Sequence, residues 1–78
     1  MRLPILSSSE IERVLRRAGF EPAPKRGKGS HKAFVKQTKD RKFLVILPQK
    51  KIIPRGTLFA IIKQAGLTKE EFMHLLKE

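Results

Sequence analysis

The amino-acid sequence predicts an α+β domain, a three-stranded antiparallel sheet with helices packed on one face, in the order α-β-β-β-α-α. The chain has 78 residues, which is enough for one domain spanning residues 1–78. Two segments carry apolar residues at helical spacing, and each ends at a glycine followed by an apolar residue. The stretch between them is rich in β-branched and aromatic residues, which favours strands.

The first predicted helix begins in a run of serines and ends at Gly19. Ser7, Ser8 and Ser9 are candidate N-caps, and Glu12, three residues after Ser9, would complete a capping box. Gly19 suits the position just past the last turn, and Phe20 can fold back onto it. The apolar face repeats at i, i+3, i+4 and i+7 through Ile11, Val14, Leu15 and Ala18.

The middle of the chain predicts three strands. Ala33–Lys36 and Phe43–Leu47 are the clearest, and Thr38–Arg41 between them suits a hairpin turn. The segment Phe20–Lys25 contains two prolines, so we expect it to form an irregular edge strand. Together they make the small antiparallel sheet.

The second half of the chain predicts two more helices. Gly66 and Leu67 end the first of these as Gly19 and Phe20 end the earlier one. Thr68 with Glu71 forms a capping box that opens a short C-terminal helix. The inward residues are expected to be Leu58, Ile61, Ile62 and Ala65 in one helix and Phe72, Leu75 and Leu76 in the other.

Charge is distributed unevenly along the chain. Eighteen Lys and Arg stand against seven Asp and Glu, for a net charge of +11. Between Pro22 and Lys69 the only acid is Asp40, whereas the other acids lie near the two ends. A cationic centre with mixed ends is typical of a surface that binds a polyanion. A merely solvated lysine surface is the alternative, but ordinary surfaces intersperse both signs.

Several classes of function are disfavoured by composition. The sequence has no cysteine, which excludes disulfides and thiolate metal sites. Its basic centre has no paired carboxylates, so two-metal nuclease chemistry is not expected. No apolar run approaches the roughly 20 residues of a membrane helix, and no signal peptide is evident. We therefore expect a cytoplasmic protein without metal, cofactor or membrane association.

Two basic segments are candidates for phosphate binding. The glycines around Gly29-Ser30-His31 let backbone approach a ligand closely. A second group surrounds the start of the helix after Pro54, where backbone N–H groups attract phosphate. The candidate RNA-binding residues are Lys25, Lys28, Gly29, Ser30, Lys32, Lys50, Lys51, Arg55 and Thr57.

His31 is the candidate catalytic residue. Imidazole exchanges a proton near cellular pH, so it can take the proton of an RNA 2′-OH, which would then attack the adjacent phosphorus. Lysines would stabilise the developing charge, and DNA, which lacks the 2′-OH, should be inert. From the residues alone, simple phosphate contact by His31 is also open. We expect His74, near the C-terminus, to be structural or exposed.

In combination and order, these motifs resemble the HicA (YcfA-like) family of toxin mRNA interferases. The resemblance runs from about Ser8 to Phe72. It is carried by the segments Ala18-Gly19-Phe20, Gly29-Ser30-His31 with Phe34, Pro48 to Lys51, Pro54 to Leu58, and Ile62 to Leu67.

The resemblance implies a double-stranded-RNA-binding-domain-like fold and a toxin of a type II toxin–antitoxin system. It implies ribosome-independent cleavage of mRNA with His31 as catalytic residue, and a HicB-type antitoxin that covers the active site. The 2′-OH reaction itself requires no metal, so we expect a metal-independent enzyme. The family's strand-end loop often carries a further histidine, where this chain has Pro48-Gln49-Lys50. The leaving-group acid therefore stays open among Lys28, Lys32 and water.

Two other functions are compatible with parts of the sequence. The first is a non-catalytic RNA-binding module of the same fold, in which His31 only contacts RNA. The second is a DNA-binding helix-turn-helix formed by Leu58–Ala65 and Thr68–Leu76. Glu70, Glu71 and Glu78 on the would-be recognition helix disfavour it, because acids repel phosphate.

Overall fold

The order of helices and strands is the predicted one. The computed structural model describes residues 3–24 and 29–78. Along these residues the elements are α1 (Ser8–Arg17), β1 (Glu21–Pro22), β2 (His31–Gln37), β3 (Lys42–Pro48), α2 (Arg55–Gln64) and α3 (Lys69–Lys77).

The helix α1 begins with a capping box, but not with the predicted one. Ser7 is the N-cap; its hydroxyl accepts the N–H of Glu10 at 3.3 Å, and the Glu10 carboxylate accepts the N–H of Ser7 at 2.9 Å. The predicted box of Ser9 with Glu12 is wrong. Ser8 is buried and already helical, so Ser9 lies inside the first turn and lacks the extended backbone of a cap. Glu12 is thereby left for other contacts.

The helices α1 and α2 end in the same way, as the sequence predicts. Gly19 and Gly66 have φ of 98° and 71°, in the left-handed region that favours glycine. The next residue in each case donates its N–H back to a carbonyl of the last turn, at 2.9 Å from Phe20 and 3.2 Å from Leu67. This arrangement satisfies helix carbonyls that would otherwise lack partners.

The strands β2 and β3 form a long antiparallel hairpin. Phe34 lies opposite Val45, and His31 lies opposite Pro48. The N–H of Thr38 donates to the Arg41 carbonyl at 2.8 Å and closes the predicted turn. Both strands extend beyond their predicted bounds because the backbone pairing continues past the apolar residues.

The edge strand β1 is much shorter than the predicted segment. It pairs antiparallel with β2 and places Glu21 opposite Val35 and Pro22 opposite Phe34. One further bond joins the N–H of Ala23 to the Ala33 carbonyl at 2.8 Å. Proline has no N–H to donate, which limits the ladder. Beyond Ala33, the start of β2 is not paired with β1.

The core lies between the helices and one face of the sheet. An N-terminal segment also joins it: Leu6 pairs with Ile53 in an antiparallel bridge, which no pattern in the sequence indicates. Among the described residues, no helix is both long and apolar enough to cross a bilayer. The fully buried core side chains include Ile11, Val14, Leu15, Phe34, Val45, Leu47, Leu58 and Phe72.

Candidate functional site

His31 is the first residue of β2 and is exposed to solvent. The turn before it contains Gly29, whose φ of 59° is in the left-handed region. The carbonyl of Ser30 accepts the N–H of Gln49 at 2.8 Å, so the pairing with β3 continues past the strand end. The histidine is thus held on a hydrogen-bonded sheet end rather than on an unsupported loop.

The basic loop after β3 is fixed by backbone hydrogen bonds on both sides. The Lys50 carbonyl accepts the N–H of Ser8 at 3.0 Å, which ties the loop to the start of α1. The N–H of Ile53 donates to the Leu6 carbonyl at 2.8 Å. Lys50 and its neighbour Lys51 remain exposed, and Lys50 directly follows the residue bonded to Ser30. The structure therefore brings cations to the end of the sheet where His31 lies.

A cavity of about 410 Å³ adjoins His31 at the edge of β2 that β1 leaves unpaired. Its outer walls are two prolines of the β1 segment and the exposed side of α1. It is lined by Glu12, Arg16, Pro22, Pro24, Gly29, His31, Lys32 and Ala33.

A carboxylate joins two cations on the α1 side of this cavity. Oε2 of Glu12 accepts from Nε of Arg16 at 3.0 Å and lies 2.9 Å from Nη2 of the same guanidinium. The other oxygen, Oε1, lies 3.6 Å from Nζ of Lys32. Lys32 reaches α1 because strand alternation puts it on the face of Phe34, which packs against the helices.

The structure gathers some of the predicted RNA-binding residues and separates others. Gly29, Ser30 and Lys32 adjoin His31, and Lys50 is one residue from the backbone bond to Ser30. Arg55 and Thr57 lie in the first turn of α2, outside the lining of the cavity. The predictions at Lys25 and Lys28 fall outside the described residues.

Two residues at the site were missed by the sequence analysis, Glu12 and Arg16. They form an i, i+4 pair on the exposed side of an amphipathic helix, which by itself indicates only a solvated surface. Nothing in the sequence indicates that this side of α1 lies next to β2. The tertiary packing of α1 on the sheet supplies that information.

His74 is exposed, as predicted. It lies in α3 with its side chain 80% exposed, and its Nε2 is 3.7 Å from Oε2 of Glu78. It does not line the cavity beside His31. Within residues 3–24 and 29–78 there is no cluster of three or more His, Cys, Asp or Glu side chains that could hold a metal ion.

The fold and the site define a small, strongly basic α+β domain with an exposed histidine at a cavity that is also lined by arginine and lysine. The chain belongs to the HicA toxin family of bacterial toxin–antitoxin systems, whose family model matches residues 8–67. Helix α3 lies beyond the matched range. No curated protein matches this chain.

Proposed function

We propose that this toxin is a metal-independent, ribosome-independent endoribonuclease that cleaves mRNA, with His31 as the general base. The observation that carries the proposal is that the exposed His31 lies at the hydrogen-bonded end of β2, at a cavity that is also lined by Lys32. Membership of the HicA toxin family supports it, because that family is known for RNA-cleaving activity. Such an activity on mRNA would belong in the cytoplasm.

The proposed reaction is an internal transesterification. The neutral imidazole of His31 takes the proton of a ribose 2′-OH, and the resulting oxygen attacks the adjacent phosphorus. The bond from phosphorus to the 5′-oxygen breaks, and that oxygen leaves as a hydroxyl after it gains a proton. The products are a 2′,3′-cyclic phosphate and a 5′-hydroxyl end. Nearby cations stabilise the charge that develops on the phosphoryl oxygens.

The leaving 5′-oxygen also needs a proton donor. The strand-end loop offers Gln49, whose amide does not titrate and whose Nε2 donates to the Leu47 carbonyl at 3.2 Å. Lys32 lines the cavity and is one candidate, with Lys28 and water as the others. Without a second imidazole, we expect slow turnover.

RNA binding would use the cations on both sides of His31. Lys32, Lys50 and Lys51 are exposed, and backbone at Gly29 and Ser30 can approach a phosphate closely. A second phosphate contact would form at the first turn of α2, because the first backbone N–H groups of a helix have no intrahelical partner and attract phosphate. The proposed RNA-binding residues are Lys25, Lys28, Gly29, Ser30, Lys32, Lys50, Lys51, Arg55 and Thr57.

Membership of a toxin–antitoxin family implies an antitoxin partner. We propose a HicB-type protein that covers the site around His31. Because the toxin carries a net charge of +11, an acidic covering surface would associate rapidly and in a salt-sensitive way.

Replacement of His31 tests the catalytic proposal. His31→Ala should lower the rate of cleavage of single-stranded RNA in EDTA by about 10²- to 10⁴-fold while RNA binding persists. His74→Ala, which removes the other exposed histidine, is the matched control and should cleave normally. Equal cleavage by His31→Ala would overturn the catalytic role of His31. Intact RNA after incubation with antitoxin-free wild type would leave a non-catalytic RNA-binding module.

A further inference from the structure

The cavity beside His31 is lined by an ion cluster of Glu12, Arg16 and Lys32. Its contribution to the stability of the fold is too small to explain why these charges lie there. The side chains of Arg16 and Lys32 are 54% and 56% exposed, and ion pairs this exposed typically contribute little to stability. The Glu12 side chain is only 20% exposed, so the carboxylate is the better fixed of the three groups. All three line the cavity beside His31.

The orientation of the Arg16 guanidinium leaves part of it available to a ligand. Glu12 engages Nε and Nη2, both through the same oxygen, and does not engage Nη1. A guanidinium has five N–H donors in a planar fork, so this side-on contact fixes the plane while the Nη1 edge can bind another oxyanion. Lys32 contributes a second positive charge on the other carboxylate oxygen.

The charges in this cluster favour an anionic ligand. Two cations outnumber one carboxylate, so the cluster keeps a net positive charge. The cluster also shows that Arg16 and Lys32, from different elements, can contact one small oxyanion together, because Glu12 already contacts both. An RNA phosphate has the same charge sign and a similar size, and arginine binds phosphate oxygens through a pair of N–H groups.

We propose that Arg16 and Lys32 form a binding subsite for an RNA phosphate next to the one cleaved at His31, and that Glu12 is the positioning residue for both. The proposal rests on the proposed ribonuclease function. It extends the RNA path from the sheet end onto α1. It also gives a role to Glu12, which takes no part in the helix cap formed by Ser7 and Glu10.

Binding of an RNA that is not cleaved tests the subsite. In the His31→Ala background, a short single-stranded RNA should bind Arg16→Gln about tenfold more weakly. The slope of log affinity against log NaCl concentration should fall by about 0.7, the value for one phosphate contact on a single strand. Arg13→Gln is the matched control: it removes the same charge from the same helix, but Arg13 does not line the His31 cavity. Equal losses in the two variants would overturn the subsite.

Single-turnover cleavage tests the role of Glu12 in otherwise wild-type protein. Because misplaced positioning groups slow the reaction of bound substrate, Glu12→Gln should lower the rate at saturating RNA about tenfold. It should not raise the RNA concentration that gives half of that rate. The loss of a negative charge alone would only strengthen RNA binding, so a merely electrostatic role predicts no fall in the saturating rate. Glu12→Asp, which keeps the carboxylate, should recover part of the rate.

A saturating rate in Glu12→Gln equal to that of wild type would contradict the positioning role, provided that thermal melting shows an intact fold. If wild type leaves RNA uncut, the proposed function fails. The binding comparison of Arg16→Gln with Arg13→Gln still decides the subsite in that case.

Discussion

At the scale of single residues, the site combines a rigid backbone with exposed side chains. The carbonyl of Ser30 is bonded to Gln49, while the next residue, His31, stays open to solvent. Lys32 follows on the opposite face and reaches α1. Neighbouring residues of one strand can therefore serve different walls of a site, because strand side chains alternate in direction.

The cap of α1 yields a prediction at the same scale. Ser7→Ala should lower the free energy of unfolding by about 1 kcal/mol, because it removes the hydroxyl that accepts the N–H of Glu10. Ser9→Ala is the control, since Ser9 makes only an exposed side-chain contact to Ser7. Urea melts of both variants measure the free energy of unfolding. An equal loss in both would show that Ser7 is not the N-cap.

Glu10 should make this stabilisation depend on pH. The backbone N–H and the hydroxyl of Ser7 donate to its carboxylate, which lowers the pKa of Glu10 below its ordinary value of 4.5. A lowered pKa in the folded state stabilises the fold above the unfolded-state value, and this stabilisation is lost as pH falls through the folded-state pKa. Wild type should therefore exceed Glu10→Gln in stability at pH 7, and the gap should narrow as pH falls below about 4.5. A gap that widens in acid would contradict the assignment.

At the scale of elements, the C-terminal ends of α1 and α2 and the strand cores could be predicted well from the sequence. The apolar spacing and the Gly-Phe and Gly-Leu endings of α1 and α2 are local signals, and the structure confirms them. The length of β1 and the pairing of Leu6 with Ile53 could not be predicted, because they depend on what the packed sheet and loop offer as partners. The proximity of Arg16 to Lys32 could not be predicted either, because it arises only from the packing of α1 on β2.

Helix α3, beyond the family-matched range, is integrated into the fold. Phe72 is fully buried in the core. Nη1 of Arg17 donates to the Leu75 carbonyl at 2.7 Å, near the end of α3. Thr68 and Glu71 form the predicted capping box at its start. These contacts favour a structural role for α3 rather than that of a DNA-recognition helix.

The end of α2 gives a prediction for substitutions of glycine. A Cβ on Gly66 would lie 2.5 Å from Cε1 of Phe43, and its φ of 71° already disfavours other residues. Gly66→Ala should therefore lower the free energy of unfolding by more than about 1 kcal/mol. Gly56→Ala, in the first turn of α2 with open space around it, should raise it by up to about 1 kcal/mol. Thermal melts that shift in the same direction for both would contradict this account of the helix end.

At the scale of the whole molecule, uneven charge is the property that links the fold to its proposed partners. A net charge of +11 on 78 residues would attract both of the proposed partners, RNA and an acidic antitoxin. The basic centre of the sequence predicted this attraction. The α1 arginines belong to the more acidic N-terminal part of the chain, so the charge map alone did not assign them to the site.

Coverage by the antitoxin gives a prediction at this scale. Both histidines are exposed in the toxin. In a complex with a HicB-type antitoxin, diethylpyrocarbonate should modify His74 as in the isolated toxin, whereas His31 should be protected. Mass spectrometry of the modified peptides measures both sites in one sample. Modification of His31 to the same extent in the complex would rule out this mode of inhibition.

The central claim is that cleavage proceeds by attack of a ribose 2′-OH that His31 activates, and a single deoxynucleotide tests the identity of this nucleophile most directly. A cleavage position is first mapped in a single-stranded RNA, and the RNA is then made with 2′-deoxyribose on the 5′ side of that bond. We predict that wild-type protein no longer cuts this bond. It should still cut at other positions, and the ends at those positions should carry a 2′,3′-cyclic phosphate. Continued cleavage at the deoxy-substituted bond would contradict the account, because the attacking oxygen would then come from elsewhere.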